Sequence, residues 1–302
     1  MLCALAFFLL WTAAAGGAEP ISVVTTSTDL KALVEAVGGE RIRVESLAAP
    51  LQDPHAVEVK PGQLAKLKAA ALLVTIGLDH EPWLSPALRT VGDSRFARES
   101  PHYLDTSKEI QLLQTETPRL RADKGAHVHG FGNTHYWLDP ENGRPMTAAI
   151  LQALIRLAPA DRLYFEANRK RFLDQLDGRL KGWLQTMAPH KGTRVVTVHE
   201  TWPYFAQRFG LVIVAVVEPN PGVPPSLSYL SSLIQKMRDS RIKLLIADPY
   251  SNVSVTNQVA TQSGATAVTL IPSVGGDGAA ADYLSLFDSN VKRLSQAAMA
   301  AR

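Results

Sequence analysis

Thiol chemistry is all but missing from this chain: of its 302 residues only Cys3 is a cysteine. A chain processed beyond that point holds none, which excludes disulfide scaffolding and thiolate metal sites and suits an oxidising compartment. Any metal must then be held by imidazole and oxygen. Charge of one sign is lacking too. The 31 basic and 28 acidic residues leave a formal charge of +3, and the basic residues are scattered, so nucleic acid is set aside as a partner. The first residues carry an apolar core from Leu2 to Trp11, too short for the about 20 residues of a membrane-spanning helix. Small residues follow it and end at Ala18, so residues 1–18 are expected to be a secretory signal peptide. The helix-borne HExxH signature of zinc hydrolases is absent as well,.

What is present reads as α/β. Apolar residues make up 46% and charged residues 20% of the chain, an ordinary globular balance with enough length for two cores. From Ile21 onward short β-branched runs alternate with stretches of helical period, as in domains built on a mainly parallel sheet. Strands are expected over 21–26, 43–47 and 71–76, with helices near 29–37 and 61–70. A second set follows: strands over 194–198, 211–217, 242–247 and 267–271, with helices over 202–209, 226–239 and 255–263. Between the sets, Leu163, Phe165, Phe172, Leu173, Leu176, Leu180 and Leu184 recur at roughly helical spacing in a polar stretch,. Pro159 and Asp161 mark its start and Pro189 lies past its end. The fold class expected is α/β with two lobes, each a mainly parallel sheet flanked by helices, joined by one long linking helix. The expected boundaries are 19–158 for the first lobe, 159–189 for the helix and 190–302 for the second lobe.

Histidines stand where such sheets bind ligands, beyond the carboxyl ends of strands. His55 follows the second expected strand, His199 directly follows Val195-Val196-Thr197-Val198, and Asp248 follows Leu244-Leu245-Ile246-Ala247. His127, His129 and His135 fall within nine residues of a loop that also holds Gly130 and Gly132, a metal signal that is weak alone. Taken alone, a histidine at a strand end is more often a hydrogen-bonded or solvated residue than a ligand, and Asp248 before Pro249 is equally well explained as a turn former or helix-cap residue. His80 and Glu81 also follow a strand. They are read as loop or cap residues, because Pro82 and Trp83 suggest a helix start and an apolar anchor.

Three segments taken together resemble a known family. Gln52-Asp53-Pro54-His55, Gly132 to Pro140 (GNTHYWLDP), and His199-Glu200-Thr201-Trp202-Pro203-Tyr204-Phe205 with Arg208-Phe209-Gly210-Leu211 are similar to signature segments of the zinc- and manganese-binding solute-binding proteins of ABC importers. The resemblance covers nearly the whole chain beyond the signal and includes the linking helix. It implies metal capture between two lobes by His55, His135 and His199, with a carboxylate or water completing the shell, and delivery to a membrane permease. It also implies a monomer that is not an enzyme and works in the periplasm or at the cell surface. Many relatives supply an aspartate after the last strand, where this chain has Ser273 in Ile271-Pro272-Ser273-Val274. Asp248 is therefore preferred as fourth ligand, with water, His129 and Asp277 open. Zinc is expected over manganese, because zinc takes three imidazoles and an oxygen in four-coordination whereas manganese favours more oxygen. Manganese-type relatives tend to carry glutamate at the position of His199. A metal-sequestering adhesin and a zinc-dependent hydrolase are the alternatives. The loop from His127 to His135 is the expected moving part, with small lobe motion about a stiff helix.

Overall fold

Alternating side chains explain how the central strands of each sheet serve two cores. The computed structural model describes residues 19–114, 132–219 and 223–301. The expected signal peptide, His127 and His129 lie outside the described residues. In the first lobe β1 (Ile21–Thr25), β2 (Ile42–Ser46), β3 (Leu72–Thr75) and β4 (Tyr103–Asp105) form a parallel sheet in the order β2-β1-β3-β4. Helices α1 (Thr28–Gly38), α2 (Pro61–Ala69) and α3 (Leu84–Val91) connect its strands, and α4 (Gly143–Leu157) follows. After α5 (Arg162–Met187), the second lobe repeats the plan with β5 (Arg194–Thr197), α6 (Pro203–Phe209), β6 (Val212–Val216), α7 (Leu227–Asp239), β7 (Leu244–Ala247), α8 (Val253–Ser263) and β8 (Thr266–Thr269). Its parallel sheet runs β6-β5-β7-β8, and α9 (Tyr283–Ala300) ends the chain's described part. In both sheets the strand order reverses next to the first strand, which opens a crevice at the carboxyl ends.

Val23, Leu72 and Val74 face one large core while Val24 and Leu73 face a smaller one on the other side of the sheet. The second lobe does the same, with Val195, Leu244 and Ile246 in the large core and Val196 and Leu245 in its own. This is the period of two that a pleated strand imposes. The large core therefore runs through both lobes.

The linking helix is as long as the sequence suggests. Helix α5 has 26 residues, about 39 Å at 1.5 Å per residue. Phe165, Asn168, Phe172, Leu176, Trp183 and Met187 are its buried stripe, at the three- and four-residue steps of one helix face. Asn168 Nδ2 donates to the Val37 carbonyl at 3.0 Å and Trp183 Nε1 to Asp288 Oδ1 at 2.7 Å, so each lobe holds one end. Asp161 stands at the N-cap position but makes no capping bond; it pairs with Arg41 at 3.2 Å instead.

One buried carboxylate also ties the lobes. Asp29 Oδ1 in α1 accepts from the Val274 amide of the second lobe at 2.9 Å. Burial pushes its carboxyl up from 3.8 to about 7, because an ion loses its hydration there. A raised carboxyl pKa favours the protonated folded state, so this stabilisation is complete below the unfolded value near 4 and is lost as pH rises to about 7. Asp29→Asn keeps the acceptor without the charge. The variant is expected to gain about 4 kcal/mol over wild type between pH 4 and pH 8, read from urea unfolding of chelator-treated protein at both values; an unchanged difference would count against the buried charge.

Candidate metal centre

Two histidines meet nitrogen to nitrogen in the crevice of the first lobe. His55 lies in the turn after β2, where its amide donates to Asp53 Oδ1 at 2.9 Å and Trp83 Nε1 donates to the Pro54 carbonyl at 2.8 Å. Its Nδ1 lies 2.9 Å from the His80 carbonyl. A carbonyl only accepts, so Nδ1 carries the proton and Nε2 the lone pair. His135 is oriented by the same logic. Asn133 Nδ2 donates to the carbonyl of Glu200 at 2.8 Å, which makes Oδ1 the acceptor for both the His135 amide at 2.9 Å and His135 Nδ1 at 3.2 Å.

His55 Nε2 and His135 Nε2 are 3.4 Å apart. At that distance the two nitrogens either share a proton or hold a cation between them. Two zinc–imidazole bonds of about 2.0–2.1 Å at the tetrahedral angle put their nitrogens about 3.3–3.4 Å apart. The pair thus has the dimension of one edge of a zinc tetrahedron.

A third imidazole joins them. His80 is fully buried in the turn after β3, and one ring nitrogen each from His55, His80 and His135 lie within 4.8 Å of one another. Among the described residues this is the group of histidine, cysteine and carboxylate side chains close enough to share an ion. Trp137 closes the cluster from behind, its ring 5.1 Å from that of His80 and 5.2 Å from that of His135.

His135 sits on a strap, residues 132–139, that the second lobe holds. Tyr204 Oη donates to the Asn133 carbonyl at 2.7 Å, Trp137 Nε1 to the Pro272 carbonyl at 2.9 Å and Tyr283 Oη to the Trp137 carbonyl at 2.7 Å. Arg208 grips both oxygens of Asp139, at 2.7 and 2.8 Å. The end of the expected moving loop that carries His135 is therefore fixed; the part holding His127 and His129 lies outside the described residues.

His199 and Asp248 form a second group, on the other lobe. His199 Nδ1 faces Asp248 Oδ2 at 2.6 Å and its Nε2 faces Glu218 Oε2 at 2.9 Å. Burial pulls this imidazole down, but the hydrogen bonds and charges of Asp248 and Glu218 outweigh it and hold the pKa above the ordinary 6.5. The Asp248 carboxylate also accepts from Trp202 Nε1 at 2.9 Å, and its own pKa is raised by burial. Asp277, the other open carboxylate, caps its own turn through the Ala279 and Ala280 amides and pairs with Arg293.

Of the four residues singled out in the sequence, the structure brings His55 and His135 together and pairs His199 with Asp248. Sequence reasoning missed His80 and Glu218. Both follow strands, β3 and β6, so the criterion that selected His55 and His199 reaches them as well; neither lies in a signature segment.

Known proteins resemble this chain along almost its whole length. The model of a family described as zinc-uptake complex component A, periplasmic, matches residues 23–297. The high-affinity zinc uptake system protein ZnuA of Yersinia pestis is 26% identical over 290 residues, covering 91% of this chain and 88% of that one. The manganese ABC transporter substrate-binding lipoprotein PsaA of Streptococcus pneumoniae is 23% identical over 295 residues, 94% of this chain and 91% of its own. A crystal structure of ZnuA superposes with a TM-score of 0.78 at 25% identity, covering 92% of this chain and 99% of the other.

Proposed function

The chain belongs to the periplasmic zinc-uptake component A family, and from that premise we propose that it captures zinc in the crevice and hands it to the permease of an ABC importer. Relatives of this family are substrate-binding proteins of zinc and manganese importers, not enzymes. The observation that carries the choice of zinc is the 3.4 Å edge between His55 Nε2 and His135 Nε2, with both Nδ1 hydrogens committed to oxygen acceptors. Imidazole donors fixed in this way are preorganised for zinc. Among the described residues, the group close enough to share an ion with this pair adds a third imidazole, not the oxygen-rich shell that manganese prefers.

His199 completes the proposed set from the second lobe. Its Nδ1 is held by Asp248, an arrangement that orients a ligand histidine and raises its basicity, so Asp248 acts through His199 and Nε2 is the nitrogen offered to the metal. The protein would work as an exported monomer in the periplasm after loss of residues 1–18. No helix among the described residues is long and apolar enough to cross a membrane, so transfer across it belongs to the permease.

Metal analysis of protein purified without chelator, followed by competitive zinc and manganese titration, tests this directly. One equivalent of zinc held more tightly than manganese is expected; a protein that binds neither would sink the reading.

Glu218 adds a second prediction. It occupies the His199 nitrogen that the metal needs, and with Asp248 it keeps that imidazole charged to higher pH. Protons therefore compete with metal below the raised pKa and cease to compete above it. Glu218→Gln is expected to tighten zinc binding about threefold to tenfold at pH 6 and to leave it unchanged at pH 8, because without the Glu218 charge the imidazole gives up its proton more readily. Titrations at the two pH values measure it, and an equal effect at both would refute proton competition at His199.

A further inference from the structure

His80 has a place in the crevice that neither the signature segments nor the loop reading explains. We propose that His80 is itself a metal donor, so that His55, His80 and His135 form a three-imidazole seat in the first lobe that holds zinc without the second; this rests on the metal-capture reading above.

The three rings converge. Their centroids are 4.2 Å apart for His55 and His80 and 5.3 Å for each of the other pairs. The planes are inclined at 57°, 75° and 88°, tilted for the first pair and edge-on for the two that involve His135. With all three donor nitrogens within 4.8 Å, small side-chain rotations bring them to the about 3.3–3.4 Å edges of a zinc tetrahedron.

The rings are also coupled to one another. Thr134 Oγ1 lies 2.7 Å from His80 Nδ1, which makes Nε2 the nitrogen for a metal. The His80 carbonyl in turn takes the His55 Nδ1 proton, and Thr134 is the neighbour of His135 in the strap. Two of the three donors thus have their second nitrogen engaged by a group that belongs to, or adjoins, another donor, and the third, His135, is held by Asn133 on its own strap. Such partners fix tautomer and ring direction before metal arrives.

The backbone is bent to deliver this residue. Gly77, Leu78 and Asp79 all have positive φ, at 77°, 56° and 56°. A left-handed leucine costs about 1–2 kcal/mol, and such strain persists only where surroundings enforce it. Here Glu81 enforces it: its buried carboxylate accepts from the Ile76 amide at 2.7 Å, the Gly77 amide at 3.1 Å and the Thr26 hydroxyl at 2.5 Å. The turn that Glu81 clamps carries His80 into the cluster. A site that needed only packing there has no use for a third imidazole, whose burial forfeits hydration.

Three histidines with one further position already make a complete zinc shell. Capture then occurs on the first lobe, and His199 supplies the remaining position from across the crevice.

The experiment uses the chelator-stripped full-length protein, titrated with zinc against a chromophoric competitor. His199→Ala is expected to retain one equivalent with affinity within about tenfold of wild type, whereas His80→Asn is expected to bind on the order of 100-fold more weakly, as for loss of a donor. A His80→Asn protein that matches wild type, or a His199→Ala protein that loses zinc as completely as His135→Ala, would overturn the proposal. Failure of the wild type itself to bind zinc would instead defeat the metal-capture reading. Because His80 is buried, wild-type protein labelled with nitrogen-15 in its histidines supplies a readout independent of folding. One equivalent of zinc is expected to move the His80 Nε2 resonance together with those of His55 and His135; a stationary His80 resonance overturns the seat.

Discussion

His135→Ala protein is expected to lose zinc affinity by on the order of 100-fold and most of the thermal protection that zinc confers. Zinc binding by small sites is worth about 10–16 kcal/mol; with most of it carried by the three first-lobe imidazoles, each is worth at least about 3 kcal/mol, or roughly two decades in affinity. At zinc a thousandfold above the wild-type dissociation constant, binding stabilises the fold by about 4 kcal/mol. A hundredfold weaker site at the same zinc retains about 1.4 kcal/mol. The apo protein should behave differently. Without metal, His55 Nε2 and His135 Nε2 stand 3.4 Å apart, and removing one ring removes that contact. Melting temperature with and without zinc measures both effects. A variant whose melting point still rises with zinc as far as wild type would show that the cation does not sit between these two nitrogens.

The fold was largely legible because the strands are short and strongly β-branched. Val195-Val196-Thr197 and Leu244-Leu245-Ile246-Ala247 are nearly continuous apolar runs, as buried parallel strands require, and both fall within β5 and β7. Helix α5 announced itself through its apolar period. Helices α4 and α9 did not enter the expectations, although α9 has 18 residues with ten of them buried. Its apolar residues are too closely spaced to form one narrow stripe, since it packs against several neighbours at once, including α5, α1 and β8.

The site was legible only in part, and the reason is physical. His55, His135 and His199 lie in segments whose order along the chain carries a family likeness. His80 lies in none. It is recruited by a turn with three successive left-handed residues, and no side-chain pattern specifies that turn beyond Gly77. The turn is held by bonds from the Ile76 and Gly77 amides and the distant Thr26 hydroxyl to Glu81, so only the folded chain reveals its left-handed residues. Glu218 is hidden for a similar reason: its meaning comes from His199, nineteen residues earlier, across the β5–β6 pairing.

These attachments also shape how the protein would give up its metal. One core passes through both lobes, α5 is pinned at either end, and the His135 strap is bonded to the second lobe at several points. Large hinge opening would break most of these at once. Release by local displacement of His199 or of the strap breaks few, so a docking permease has only to act at the mouth of the crevice.

Asp139→Ala tests the strap. Asp139 accepts two bonds from Arg208 and one from the Glu141 amide at 3.0 Å, while its carbonyl lies 3.4 Å from Tyr283 Oη. Truncation leaves the guanidinium without its forked partner and uncaps the turn that leads into α4. Breaking a buried ion pair costs about 3–5 kcal/mol; Arg208 keeps 31% of its side chain exposed, which places the loss at about 3 kcal/mol. Roughly 2 °C per kcal/mol in a chain of this size gives a fall of about 6 °C in the melting point of apo protein. The cost also reaches the metal. His135 lies four residues before Asp139 on the same strap, and its Nε2 meets His55 with little margin. Zinc affinity is therefore expected to drop about tenfold, the lower end of what loss of an orienting partner causes. Arg208→Lys separates the two effects. It keeps the charge near Asp139 but not the fork, so it should recover part of the melting point while zinc binding stays weak. Equal zinc affinity in wild type and Asp139→Ala would mean that His135 is positioned by Asn133 alone and that the clamp serves only the fold.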